Sequence, residues 1–225
     1  MSFVFTTEMA ASGGGETNIP LFSTDNWTLT NIAGGTASIN TGSEFFDVTV
    51  PASAAINSGG EAAYNLSGEY FSPYDCVNLE VGAQLSLFQN CDSNSRAVLS
   101  LRTASSGWPS FSIIAWGDGT LETGWTNGSG SFSSYGFTTP ALVPTDGRLW
   151  LRLRCRGSMF EAGWAIGTMG DPRPNNFTVL SNRVNAFRDQ GEPPFTNLHL
   201  FGVQITSIAS EMKVQFQNIW ASIIA

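Results

Sequence analysis

Arg148-Leu-Trp-Leu-Arg-Leu-Arg-Cys-Arg-Gly-Ser-Met-Phe-Glu-Ala-Gly-Trp164 is the stretch on which the fold turns. Leu149, Leu151, Leu153 and Cys155 alternate with Arg148, Trp150, Arg152, Arg154 and Arg156. A period of two places the first set on one face of a β-strand and the second set on the other. Gly157-Ser158 interrupts the pattern, and Phe160, Ala162, Trp164 and Ile166 begin a second alternation. The expectation is an antiparallel hairpin with an apolar inner face and an outer face of guanidinium and indole.

Further strands are expected at Phe45–Val50, Asn78–Gln89, Ala97–Thr103, Phe111–Trp116, Leu198–Thr206 and Met212–Trp220, beside the hairpin strands Leu149–Arg156 and Met159–Ile166. Clusters such as Asn57-Ser-Gly-Gly60, Gly117-Asp-Gly-Thr120 and Asn127-Gly-Ser-Gly130 separate them and read as turns. No helical periodicity of a dozen residues and no internal repeat emerges. Two segments, roughly 117–147 and 167–197, read as long loops, the places where function commonly sits on a rigid β scaffold.

Composition agrees with an all-β domain. Charged residues make up 12% of the 225, about half the usual share, and Lys213 is the only lysine. Ser, Thr, Asn and Gly carry the polarity instead, and these suit turns and pleated surfaces. The length fits a single sandwich domain over 19–225. Residues 1–18 read as a flexible arm, in which Phe3, Val4 and Phe5 precede a Gly-rich tether. An apolar tip of this kind is costly unless covered, so Phe3-Val4-Phe5 is a candidate subunit contact.

The net charge of −8 argues against nucleic acid as a partner, which requires a basic footprint. No stretch approaches the roughly eighteen apolar residues of a membrane span, and the opening residues lack the pattern of a secretory leader. Cys76, Cys91 and Cys155 show no CxxC spacing; whether Cys76 and Cys91 pair stays open. The expectation is folding in a reducing cytoplasm.

Trp150-Leu-Arg-Leu-Arg-Cys-Arg-Gly, then Phe160-Glu-Ala-Gly-Trp164-Ala-Ile-Gly-Thr, then Asp171-Pro resembles the late hairpin of concanavalin A-like lectin/glucanase jelly rolls. It is most similar to laminin-G-like modules of bacteriophage structural proteins. Leu198-His-Leu-Phe-Gly-Val-Gln-Ile205 and Val214-Gln-Phe-Gln-Asn-Ile-Trp220 resemble the closing strands of that pattern. The likeness spans about 148–222, and only strand rhythm extends it to 19–147. It implies an antiparallel β-sandwich of jelly-roll type, with two curved sheets packed face to face.

A fold of this kind hosts glucanases, lectins, adhesion modules and virion proteins, so activity has to be read from sites. The glucanase branch carries Glu-x-Asp-x-Glu on one strand, and in this chain no two acidic residues are separated by a single residue. His199 is the only histidine; it lies between Leu198 and Leu200, where a structural hydrogen bond is expected. No Gly-x-Ser-x-Gly elbow, phosphate loop or zinc spacing is present, and no catalytic residue is assigned. Calcium stays open because such relatives often hold it with loop oxygens, for which Asp118, Asn127 and Asp171 are the candidates.

Two non-enzymatic readings follow. By resemblance, the first is a phage capsid decoration, tail or fibre-associated protein, made in the host cytoplasm, displayed on the virion and self-associating. Its subunit contacts would be Phe3, Val4, Phe5 and the row Arg148, Trp150, Arg152 and Arg154, since arginine favours interfaces. The second is a lectin module for host surface glycan. Trp108, Trp116, Trp125 and Tyr135 would stack on sugar C–H faces in that case, the alternative being that these rings fill the core.

Overall fold

The computed structural model describes residues 16–22, 26–66, 78–103, 110–126, 131–138, 149–156, 159–167, 172–184, 195–206 and 208–224. In chain order its strands are β1 Thr17–Asn18, β2 Trp27–Ile32, β3 Thr36–Asn40, β4 Phe45–Val50 and β5 Ser58–Asn65. Next come β6 Leu79–Gln89, β7 Arg96–Thr103, β8 Ser110–Trp116, β9 Leu121–Thr126 and β10 Phe132–Phe137. The remainder are β11 Leu149–Arg156, β12 Met159–Ile166, β13 Thr178–Val184, β14 Phe195–Gln204 and β15 Met212–Ile223.

Two antiparallel sheets form a sandwich, as expected. The first runs β13-β12-β11-β6-β15-β4-β3, with β1 added to the end of β15; the second runs β10-β9-β8-β7-β14-β5-β2. The chain crosses repeatedly between them, so residues far apart in sequence become neighbours. β15, last in the chain, pairs with β6, β4 and β1.

The expected hairpin is present in the expected register: Leu149 lies opposite Ile166, and Arg156 opposite Met159. Leu149, Leu151 and Leu153 are buried against Leu99, Leu101 and Ile113 of the facing sheet. Each such side chain contributes about 1.5–3 kcal/mol through removal from water. Phe111 and Phe160 meet across the core with centroids 5.2 Å apart, and Phe46 stacks on Phe216 at 6.3 Å.

The second face of β11 departs from expectation. Trp150 is 1% exposed and Arg152 6%, so this face is covered rather than open. Trp150 packs on Trp220 at 6.1 Å, and the Arg152 guanidinium lies 4.4 Å from the Phe177 ring centroid. The neighbouring strands supply the acids. Arg154 is registered between Glu80 of β6 and Glu161 of β12, and bonds Glu80 through Nε at 2.8 Å and through Nη2. Arg152 pairs with Glu161 and lies 3.8 Å from Glu80. The expected outward subunit contact at Trp150 and Arg152 is therefore corrected, since intramolecular carboxylates and rings cover these groups; Arg154, paired with Glu80, keeps part of its side chain exposed. Arg148, Phe3, Val4 and Phe5 lie outside the described residues.

Other boundaries shift too. The segments read as long loops contain β9, β10 and β13, and the Asn57–Gly60 turn cluster runs straight into β5. At Gly59 an added Cβ would stand 2.2 Å from the Gly202 carbonyl oxygen; the residue is there because two backbones meet. The sheet also begins earlier than residue 19, since Thr17 and Asn18 pair with Ile223 and Ser222. Glu16 is fixed there by Arg173 (2.7 and 2.6 Å) and by the Ser222 hydroxyl, which donates to it at 2.5 Å.

Candidate functional site

In the second sheet, alternation sends Ala62, Tyr64, Leu99, Leu101, Leu198 and Leu200 inward to the core. The intervening residues have the opposite parity and line up across strands; among them Val98, Ser100, Ser112, Ile114 and His199 are buried, while Glu61, Arg102, Trp116, Glu122 and Phe201 are half-buried. One row reads Glu61, Phe201, Val98, Ile114, Glu122 over β5, β14, β7, β8 and β9. The next reads Ala63, His199, Ser100, Ser112, Gly124. Arg102 enters from β7 beside Ser110, and Arg96 pairs with Trp116 at the other end.

Glu61 is the hub. Its Oε1 accepts from Arg102 Nη1 at 2.7 Å and contacts His199 Nδ1. Burial favours the neutral carboxyl, but the His199 hydrogen bond and the Arg102 charge outweigh it and hold the group below the usual carboxylate range. Burial lowers the His199 pKa from its ordinary value, and the Arg102 charge adds to this, against the raising effect of Glu61. The imidazole is thus neutral near pH 7. With Nδ1–H donated to Glu61, Nε2 becomes its acceptor nitrogen. Desolvation of Arg102 lowers its pKa too, yet guanidinium stays charged.

Around this hub lie a ring and hydroxyls. Arg102 sits 6.0 Å from the Phe201 centroid, and Ser112 Oγ donates to Ser100 Oγ at 3.1 Å. At the far end Arg96 stacks 4.3 Å over Trp116, whose Nε1 donates to Glu122 Oε2 at 3.1 Å. The half-buried part of this face sets the Phe201 and Trp116 rings beside the fixed Glu61 and Arg102 head groups. It can hold a polyhydroxylated ligand.

Hydrolytic geometry is another matter. Glu61 and Glu122 stand in one row four strand spacings apart, roughly 19 Å. Retaining and inverting glycosidases need about 5–5.5 Å and about 6.5–9.5 Å. Burial pushes the Cys91 thiol up to about 12 and raises Cys155 as well, so neither free thiol is a ready nucleophile. Among the described residues no three His, Cys, Asp or Glu side chains cluster to hold a metal. Asp118 instead accepts the Thr120 N–H at 2.8 Å in its turn; Asn127 and Asp171 lie outside the described residues.

Of the four aromatic residues expected to hold sugar, Trp116 is on this face and half-buried. Trp125 points the other way, 5% exposed within the core, which corrects its assignment: opposite Phe111 in the ladder, it has inward parity. Tyr135 packs against the same core from β10, and Trp108 lies outside the described residues. Sequence reading missed Glu61, hidden behind Gly59-Gly60, and Phe201, read only as a strand residue. Strand parity sets Arg102 on the face opposite Leu99 and Leu101, the signal in the sequence that points at this face. His199 makes the structural hydrogen bond expected of it, and that bond is part of the site.

No family model and no curated protein matches the sequence. Solved structures do. The CBM2 module of the evolved Dit of Lactobacillus casei BL23 phage J-1 superposes with a TM-score of 0.60 at 12% identity, covering 95% of this chain and 98% of that one. The β-glucanase of Bacillus licheniformis gives 0.56 at 9% identity over 96% and 99%. A Bauhinia forficata lectin in complex with GalNAc gives 0.52 at 11% identity over 95% and 99%. These likenesses establish the fold as the concanavalin A-like jelly roll.

Proposed function

We infer that the chain is a non-enzymatic, lectin-like adhesive module of a phage particle, and that the outer face of its second sheet holds glycan. The observation that carries this reading is the Glu61–Arg102–His199 cluster beside the half-buried Phe201 ring, with half-buried Trp116 along the same face. A sugar ring would lie its C–H face on Phe201 and offer a hydroxyl to His199 Nε2. Glu61 and Arg102 fix that ring in place and keep the acceptor lone pair available. The likeness to a phage Dit module and to a lectin supports this reading.

A glycan array probed with purified protein tests the reading, followed by titration of any hit. Phe201→Ala is expected to weaken binding about tenfold, from the loss of an aromatic contact, with the fold intact by circular dichroism. A dark array would dismiss glycan binding. Release of reducing ends from β-glucan would dismiss the non-enzymatic assignment.

A further inference from the structure

On the opposite side of the sandwich a cleft of about 710 Å³ opens where residues 18–22 run beside residues 218–221. Pro20, Phe22 and Pro172 give it apolar walls, while Asn18, Thr41 and Asn218 add neutral polar groups. Trp150 and Trp220 line it as well, their rings inclined at 51°. Pockets of this size and mixed lining suit small organic ligands.

Three observations point to a ligand. First, Trp150 is almost wholly buried, yet among the described residues its Nε1 has no hydrogen-bond partner. A buried N–H left unmade is costly, and a native instance calls for an explanation. Second, β15 breaks its register on β6 between Gln217 and Trp220, with Asn218 in the left-handed region at φ 48°. Such bulges are over-represented next to functional sites. Third, the charge on the wall is already neutralised: Arg173 is held by Glu16 at 2.6 Å and lies 3.9 Å from Glu80. Glu44 adds an acidic group at the rim, which disfavours anions. Apolar planes, amides and a waiting indole N–H together fit an uncharged ligand that alternates C–H faces with hydroxyls.

We propose that this cleft is a second ligand site, taking an uncharged pyranose whose oxygen accepts the hydrogen bond from Trp150 Nε1. It stands apart from the Glu61–Arg102–His199 face and is tested separately from it.

The indole N–H resonances of ¹⁵N-labelled protein report on it directly, with that of Trp150 assigned by its loss in Trp150→Phe. The probes are methyl α-D-glucopyranoside, methyl β-D-galactopyranoside and N-acetyl-D-glucosamine. A saturable shift of the Trp150 resonance with at least one of them is expected. Gly167→Ala, whose Cβ would stand 2.9 Å from Trp150 Nε1, is expected to weaken that binding about tenfold by blocking one hydrogen bond. Thr41→Arg, a change at an exposed rim position, is expected to do the same without touching the core. Phe201→Ala is expected to leave it unchanged. A resonance unmoved by all three sugars into the tens of millimolar overturns the proposal, as does a shift that persists at full affinity in both Gly167→Ala and Thr41→Arg. A move of the Trp150 resonance on deletion of residues 1–15, without sugar, overturns it too, because the chain itself would then be the occupant.

Discussion

Glu61 and His199 share one hydrogen bond, and both have pKa values below their ordinary ones. For His199 the unfolded chain binds more protons than the folded one between the lowered pKa and about 6.5. Stability from this group is complete above that upper limit and is lost as pH falls through the window. For Glu61 the contribution is present above the unfolded carboxylate value and is lost as pH falls toward the folded one. Both slopes have the same sign, so acid destabilises. Urea midpoints measured from pH 7.5 downward are expected to fall, with the upper part of that fall missing in His199→Gln. A flat wild-type profile would show that the pair does not respond to protonation as described. Sugar binding at this face is expected to decline over the same upper window, because protonated Nε2 donates where the neutral ring accepts. Residue identity gave little warning of this cluster. One histidine, one arginine and one glutamate, separated by 41 and 138 residues along the chain from Glu61 to its two partners, become a unit only through strand order.

Strands with clean alternation were legible from residue order alone: β4, β11 and β12 fall on the expected residues. Three strands rich in glycine, serine or threonine were not. β5 opens Ser-Gly-Gly, β9 contains Gly124 and β10 reads Phe-Ser-Ser-Tyr-Gly-Phe. Residues of that type signal turns when exposed, but here several are imposed by close packing. Gly82 of β6 is the sharpest case: an added Cβ would lie 2.1 Å from the Trp220 ring and 2.6 Å from the Leu151 carbonyl oxygen. Arg152 stands opposite the same glycine on β11, so the missing side chain is what admits Trp220 to the outer face. Gly82→Ala is expected to cost about 2–3 kcal/mol through overpacking and to change the near-ultraviolet signal of the tryptophans. Gly42→Ala, where the nearest atom is a side-chain oxygen at 3.5 Å, is the control and should be close to neutral. Equal midpoints for the two variants would refute the packing argument. The same element-level blindness hid the fate of the arginine row. Period two assigns Trp150 and Arg152 to the outer face correctly, but only pairing with β6 and β12 shows that Glu80, Glu161 and Phe177 cover it.

At the scale of the molecule, β1 and β15 tie the first described residues to the last, and this junction frames the cleft. The sequence marked residues 1–18 as an arm because Gly13-Gly-Gly15 looks like a tether, yet Glu16 onward belongs to the sandwich. Ile19 and Leu21 are buried in the core, Ile19 N–H donates to the Ala221 carbonyl at 2.8 Å, and Leu21 supplies the acceptor for Trp27 Nε1 at 2.8 Å. Two truncations separate an appendage from a structural strand. Removal of residues 1–15 is expected to leave the thermal midpoint unchanged. Removal of residues 1–22 is expected to cost about 3–6 kcal/mol from the loss of two buried aliphatic side chains alone, with the Glu16–Arg173 pair lost besides. With Trp150 and Arg152 covered within the chain, the expected subunit contact is left to Phe3, Val4 and Phe5, to Arg148, and to the part-exposed Arg154. Sedimentation of the shorter truncation therefore decides between them: a fall from oligomer to monomer assigns the contact to Phe3, Val4 and Phe5, and an unchanged oligomer removes them from it.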